Sequence, residues 1–243
     1  MRPEAGDTHD LTMATGSADV GGHPVRSHFN AELDQLRLQV EVMAVRVSVA
    51  LDRMGRVLTT GDEALAQVAL AADDEVDAML VSLTERCYDL IRREAPVASD
   101  LRFLVSVLRV LEELERIADL SLRVVKQASE VPLLMADAPM FRTLAEMASV
   151  AQSLYRIALD AWSSQDVGAA RALAEHNRVM DGHYATLLEH ILGLEGPGAA
   201  HLAVAAVLVG RALERIADHT VIVGERLRYL LTGDPAYLAA EVR

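Results

Sequence analysis

From Phe29 to Leu58 apolar residues return at intervals of three and four, as Leu33, Leu36, Val40, Met43, Val47, Ala50, Met54 and Val57. Inside this run the alternation Leu36, Leu38, Val40, Val42 reads as a strand when taken alone, but the whole segment is far longer than a strand of about 3–10 residues. The pattern therefore predicts one long helix, ended at the turn Thr59 to Asp62. Asp62 is placed to cap a second helix running to about Glu94. The stretch EAPVASD then closes that helix at Pro96 and opens a third at Ser99 or Asp100, which continues to about Ser129. VPLLMADAP, with Pro132 and Pro139, interrupts the periodicity and marks a boundary between halves.

The same grammar follows the boundary. A helix from about Met140 to Ser163, a cap at Asp166, a helix to about Leu192, the breaker GLEGPG and a last helix from about Ala199 to Thr232 give a second set of three. The hexapeptide LERIAD sits in the third member of each set, at Leu114 to Asp119 and again 99 residues later at Leu213 to Asp218. This is the signature of an internal duplication. With connections this short each long helix folds back on its predecessor, so the predicted fold is all-α: two tandem antiparallel three-helix bundles, residues 29–131 and 139–232. Residues 1–28 are rich in Gly, Asp, Thr and Ser without an apolar run, and read as a disordered tail, neither signal peptide nor membrane span. Residues 233–243 form a C-terminal tail.

Composition supports a helical chain and narrows its partners. Ala, Leu, Val, Arg and Glu dominate, and aromatic residues make up only 4%. The net charge is −13, from 36 acidic and 23 basic residues, which repels nucleic-acid phosphates and suits metal cations or basic proteins. The single cysteine, Cys87, forms no internal disulfide and sits in a helical pattern. It is expected to be a small core residue of a cytoplasmic protein.

A helical wheel at about 100° per residue sharpens the repeated motif. On the third helix Arg109, Glu112, Glu113, Arg116 and Arg123 cluster on a solvent face, with Glu112 and Arg116 as an i,i+4 pair. Glu115 and Asp119 instead project with Leu108, Leu111 and Leu122. On the second helix Asp73 and Asp77 fall with Leu70, Leu80 and Ile91. Two carboxylates four residues apart repel, and partial burial raises the penalty. A hard cation held by Asp73, Asp77, Glu115 and Asp119 offsets it. The second half repeats Glu214 and Asp218 on its third helix, but across from them stand Asn177 and Asp181, one carboxylate short. Glu225 lies near the Asp218 stripe and is placed to compensate, while Asn177 retains a carbonyl oxygen. His176, His183 and His190, at seven-residue spacing, read as a solvated helix edge, with His201 apart from them. No Gly-rich phosphate loop, nucleophile elbow or zinc spacing occurs in the sequence.

PVASDLR at Pro96 to Arg102, LEELERIADLS after it, and GRALERIADHTVIVGERLRYLLTGD near the C-terminus resemble the signatures of the PhoU family of phosphate-specific transport accessory proteins. The resemblance spans about Phe29 to Asp234 in the same six-helix order. Where the family usually carries Gly, this chain has Ala118 and Ala217, a change that keeps close helix packing. The resemblance implies two three-helix bundles, a homodimer, and metal ions such as iron, zinc or another divalent cation on Asp73, Asp77, Glu115, Asp119, Asp181, Glu214 and Asp218. It also implies regulation without catalysis. The family links the ATPase or membrane subunits of the phosphate ABC transporter to a sensor histidine kinase at the inner face of the plasma membrane, and represses the starvation response when phosphate is plentiful.

Two other functions share the helical frame. A carboxylate-bridged di-metal oxidase of the ferritin-like kind needs Glu-x-x-His pairs, and no Glu in this chain is followed by His three residues on. A metal-free structural scaffold keeps the fold and drops the ion sites.

Overall fold

In the computed structural model, which describes residues 24–72 and 74–242, the first periodic segment is helix α1, Pro24–Thr60. Its start precedes the expected Phe29 because proline is tolerated in the first helical turn, where its missing N–H has no intrahelical partner to lose. Residues 24–28, expected in the tail, are therefore helical, and the rest of that tail lies outside the described residues. The apparent strand alternation divides by helical phase. Leu36 and Val40 are buried, while Leu38 and Val42 are 62% and 52% exposed.

Asp62 caps the next helix as expected, its carboxylate accepting from the Leu65 N–H at 2.9 Å. That helix is not continuous. It splits into α2, Glu63–Leu70, and α3, Asp74–Glu94, around a turn at Ala71 and Ala72. No Gly or Pro signals the break. Asp74, Glu75 and Asp77 crowd the first turn of α3, where negative charge stabilises a new helix N-terminus.

Helix α4, Ala98–Val125, begins behind an extended Val97 that makes no side-chain cap. Ser99 and Asp100 thus lie inside its first turn instead of capping it. The Pro-containing boundary is occupied by a 3-10 turn, Ala128–Glu130, and a short helix α5, Val131–Ala136. Helix α6, Ala138–Ser164, is capped by Asp137, and α7, Val167–Leu192, by Asp166, whose carboxylate accepts from Gly168 and Ala169 at 2.7 and 3.1 Å. Helix α8, Ala199–Thr232, ends where Gly233 turns left-handed at φ 74°, the conformation glycine adopts without steric penalty. A 3-10 segment follows at Pro235–Val242.

Helices α1, α2, α3 and α4 form the first bundle and α6, α7 and α8 the second. They share one core because α4 packs along α8 and α1 along α6. Tyr155 on α6 donates its buried hydroxyl to the Ala44 carbonyl of α1 at 2.7 Å, and Gln152 donates to the Leu51 carbonyl at 3.0 Å. Helix α3 buries Val76, Leu83, Cys87 and Leu90 in the same core and adds polar pairs with α1: Arg86 with Gln35 and Gln39, Arg93 with Glu32, and Arg46 with Glu75.

The α4–α8 crossing is antiparallel. Arg102 donates to the Leu230 carbonyl at 2.9 Å, and eleven residues further along α4 Glu113 meets His219, eleven residues back along α8. The 99-residue repeat step maps Glu113 onto Ala212 and Leu120 onto His219. The crossing therefore has an approximate twofold axis through the paired LERIAD segments, with Ile117, Ala118, Ile216 and Ala217 buried about it. Fifteen of the 28 residues of α4 are buried, so this helix faces neighbours on more than one side.

Candidate functional site

In the second bundle the acidic positions of α7 and α8 come together. Asn177, on α7, donates its side-chain amide to Asp218 Oδ1 of α8 at 3.3 Å, while its own Oδ1 is buried without a hydrogen-bond partner among the described residues. Glu214, one turn before Asp218, is half-buried, and Arg211 donates to it at 2.6 Å. Burial pushes the Glu214 carboxyl above its ordinary range, and Asp218 pushes the same way. Arg211 and Arg215 oppose the rise, and Asp181 adds to it. Asp181, on α7, is exposed. Asn177, Asp181, Glu214 and Asp218 are thus one electrostatic cluster on two adjacent helices. Asn177, which reads in the sequence as a missing acid, supplies a neutral donor that partly offsets the charge of Asp218.

Glu225, expected near the same stripe, belongs elsewhere. It is buried and accepts from Arg228 at 2.8 and 3.1 Å. It lies two turns beyond Asp218, and the local arginine captures its carboxylate.

The first bundle differs. Asp73 lies outside the described residues. Asp77 is exposed in the first turn of α3. Its expected place beside Leu70 presumes an unbroken helix, and the turn at Ala71 and Ala72 resets the phase. Glu115 and Asp119 are half-buried and line a groove of about 410 Å³ with Arg116 and Arg123 of α4 and with Arg215 and His219 of α8. These two acids therefore share a groove with an arginine and a histidine of the other bundle.

Three features are not evident from the sequence. Glu113, expected on the solvent face, is wholly buried. Its Oε2 lies 2.5 Å from His219 Nδ1, and Arg109 Nη2 approaches Oε1 at 2.9 Å as an ion pair without hydrogen-bond alignment. Correspondingly, Glu112 pairs with Arg109 at 2.9 Å and not with Arg116. The third feature is a cluster of cations along the α4–α8 seam, Arg123 and Lys126 on one helix and Arg211 and Arg215 on the other. The wheel shows Arg116 and Arg123 on one face of α4, but the antiparallel partner that brings Arg211 and Arg215 beside them is a tertiary fact.

Of the histidines singled out in the sequence, His190 has its Nδ1 buried without a hydrogen-bond partner among the described residues, and the others have local explanations. His183 lies 3.5 Å from Glu146 and His201 2.9 Å from Glu130, while His176 is exposed and bonded to the Ala172 carbonyl. Cys87 is fully buried, and burial pushes its thiol up to about 12, which suppresses the reactive thiolate at neutral pH.

Among the described residues no group of three or more His, Cys, Asp or Glu side chains is positioned to hold a metal ion. The α7–α8 cluster nonetheless presents the donors a hard cation takes, carboxylates and an amide oxygen. Its orphaned Asn177 Oδ1 and destabilised Glu214 carboxylate are both groups that such an ion would satisfy. Asn177, Asp181, Glu214 and Asp218 are therefore the candidates for holding a divalent cation there.

With this geometry in place, the comparisons with known proteins are specific. The PhoU domain family model matches residues 40–128 and 144–227, one match in each bundle. A phosphate-specific transport system accessory protein PhoU homolog of Pseudomonas aeruginosa is 29% identical over 213 residues, covering 87% of this chain and 88% of that protein. PhoU homolog 1 of Thermotoga maritima is 30% identical over 211 residues, covering 85% and 90%. The Escherichia coli PhoU protein is 26% identical over 211 residues, covering 86% and 87%. The crystal structure of PhoU from Pseudomonas aeruginosa superposes with a TM-score of 0.79 at 29% identity, over 85% of this chain and all of that one. The phosphate transport system regulatory protein PhoU from Streptococcus pneumoniae shares the fold, with a TM-score of 0.77 at 23% identity over 85% and 98%.

Proposed function

Because the chain belongs to the PhoU family, we propose that it regulates phosphate uptake as an accessory protein of a phosphate transport system. It acts as a cytoplasmic adaptor, without catalysis of its own. On one side it engages the ATPase or membrane subunits of the phosphate ABC transporter, and on the other a sensor histidine kinase, repressing the phosphate-starvation response when phosphate is plentiful. The observation that carries the reading is the match of both bundles to proteins named for that accessory role, over 87% of the chain in the Pseudomonas homolog. Among the described residues no helix is long and apolar enough to cross a membrane; in this reading the protein reaches the inner face through its partners. We read the adaptor as a homodimer. Leu38, Val42, Val45 and Val49 form an aliphatic stripe on α1, each at least 42% exposed, a surface that gains from being covered.

Deleting the gene from its host is expected to switch on phosphate-starvation genes in high-phosphate medium, read by a transcriptional reporter and reversed by a plasmid copy. Unchanged repression in the deletion strain, with no second copy of the gene present, would overturn the adaptor reading.

The same reading places divalent cations such as iron or zinc on the acidic clusters, the α7–α8 set being the better described. Titration of Zn²⁺ or Fe²⁺ into metal-free protein by calorimetry is the check. Asn177→Asp, which restores a fourth carboxylate, is expected to tighten binding by about tenfold, equivalent to about 1.4 kcal/mol. Glu214→Gln with Asp218→Asn is expected to abolish it at this site. Identical titrations for the three proteins would remove the site.

A further inference from the structure

We propose that the seam where the C-terminal part of α4 lies along the N-terminal half of α8 is a docking groove for an acidic amphipathic helix of a protein partner. The groove encloses about 310 Å³. Arg123 and Lys126 stand on the α4 wall and Arg211 and Arg215 on the α8 wall, and no carboxylate lines it. All four are exposed. Arg211 is held by Glu214 through one nitrogen, while Arg123 and Lys126 make no ion pair with any described residue. Glu115 and Asp119 adjoin Arg123 and Arg215 in the neighbouring groove, but within the seam itself four cations and no carboxylate, on a chain of net charge −13, make a local inversion of sign. Long-range repulsion turns an acidic partner away from most of the surface and leaves this seam as the favourable approach.

The floor decides what kind of anion fits. Leu120 and Ala212 are buried beneath the cations, and Val207 and Leu208 are 36% and 51% exposed along the lip. A small anion meets the cations but leaves this apolar surface wet. A helix with acids along its flanks and aliphatic side chains along its base satisfies both, since apolar area removed from water contributes about 25 cal/mol per Å². Lys126, which closes the C-terminus of α4, follows Arg123 by three residues, and Arg211 and Arg215 are four apart on α8, so each wall follows the side of a helix. The valley between two such walls accepts a third helix at the usual interaxial distance of about 8–10 Å.

The groove also has one position only. At the matched place across the approximate twofold axis stands the buried Glu113 and His219 pair, where this side has Ala212 and Leu120, so the same apolar floor is not repeated there.

The proposal rests on the adaptor reading and names the chemistry of its partner, and the two fail separately. The probe is a fluorescent helical peptide of about 18 residues, five turns, with Leu on one face and Glu on the other. Its Lys-for-Glu counterpart serves as control. Anisotropy with the full chain is expected to show salt-sensitive binding of the Glu peptide. Arg123→Glu with Arg211→Glu, both at exposed positions, is expected to weaken it at least about tenfold and to bind the Lys peptide better than the wild type does, with circular dichroism unchanged. Equal binding of the Glu peptide to both proteins overturns the groove, as does no binding to either. Displacement of the peptide by phosphatidylglycerol vesicles or by inorganic phosphate reassigns the cations to a membrane or to a free anion, and overturns it too. In the deletion strain, full repression by the charge-reversed variant overturns the groove and leaves the adaptor reading standing. Absence of derepression on deletion overturns the adaptor reading whatever the peptide does.

Discussion

Replacing Glu113 by Ala is expected to destabilise the fold by about 2–5 kcal/mol, whereas replacing Glu113 by Ala and His219 by Leu together is expected to return stability to within about 1 kcal/mol of wild type or above it. The single change leaves His219, only 8% exposed, without the carboxylate 2.5 Å from its Nδ1; Arg215 still lies 3.4 Å from Nε2, but the buried Nδ1 stripped of its partner bears its desolvation penalty. The double change installs the pair that already exists across the axis, Ala212 with Leu120, both buried. Arg109 keeps Glu112 at 2.9 Å after either change, so no cation is stranded. Urea unfolding followed by circular dichroism, on both single variants and the double, closes the cycle. A double variant as unstable as the sum of its singles would show that the two ends of the crossing are not interchangeable in packing.

Gly224→Val is expected to destabilise by about 2–3 kcal/mol through overpacking. A Cβ at this position meets Leu173 Cδ1 at 2.4 Å and the Ala170 carbonyl oxygen at 3.3 Å. The leucine tip can swing aside, but the carbonyl belongs to the backbone of α7, so the two helices must separate. Gly182 provides the control. It is exposed on α7, and a methyl added there meets nothing within 4 Å, so Gly182→Ala is expected to stabilise by up to about 1 kcal/mol through helix propensity alone. Thermal unfolding of the two variants is expected to move the midpoint in opposite directions. Movement in the same direction would mean that helix propensity and not interhelical clearance governs both sites.

The residues legible in the sequence are those whose role is local. Asp62 and Asp166 cap the helices they precede, and α8 begins after GLEGPG at the expected Ala199, because these signals act within a few residues. The break between α2 and α3 is hidden because Ala71 and Ala72 are good helix formers. The feature beside it that favours a new N-terminus is the acidic first turn of the following helix. Glu113 escapes sequence reasoning for a different reason. A wheel ranks faces by the polarity of one helix, and α4 also buries a polar stripe against the other bundle, where His219 satisfies it. Of the acids of LERIAD, Glu115, Asp119 and Glu214 are half-buried, whereas Asp218 is exposed, so the wheel separates three of the four from the solvent face. The surroundings of Glu115 and Glu214, Arg215 and His219 for the first and Asn177 with Asp218 for the second, arise only when two helices distant in sequence meet.

The approximate twofold at the α4–α8 crossing bears on stoichiometry. Two identical subunits related by true symmetry must present the same surface twice, and a change at one end of their crossing appears at the other. Here the two halves are fused in one chain and have diverged at the matched positions, with a hydrogen-bonded glutamate and histidine at one end and an alanine and a leucine at the other. A partner helix seated in the open groove therefore binds once per chain and with a defined polarity, and a dimer of such chains carries two, a count that sedimentation of the peptide complex measures directly.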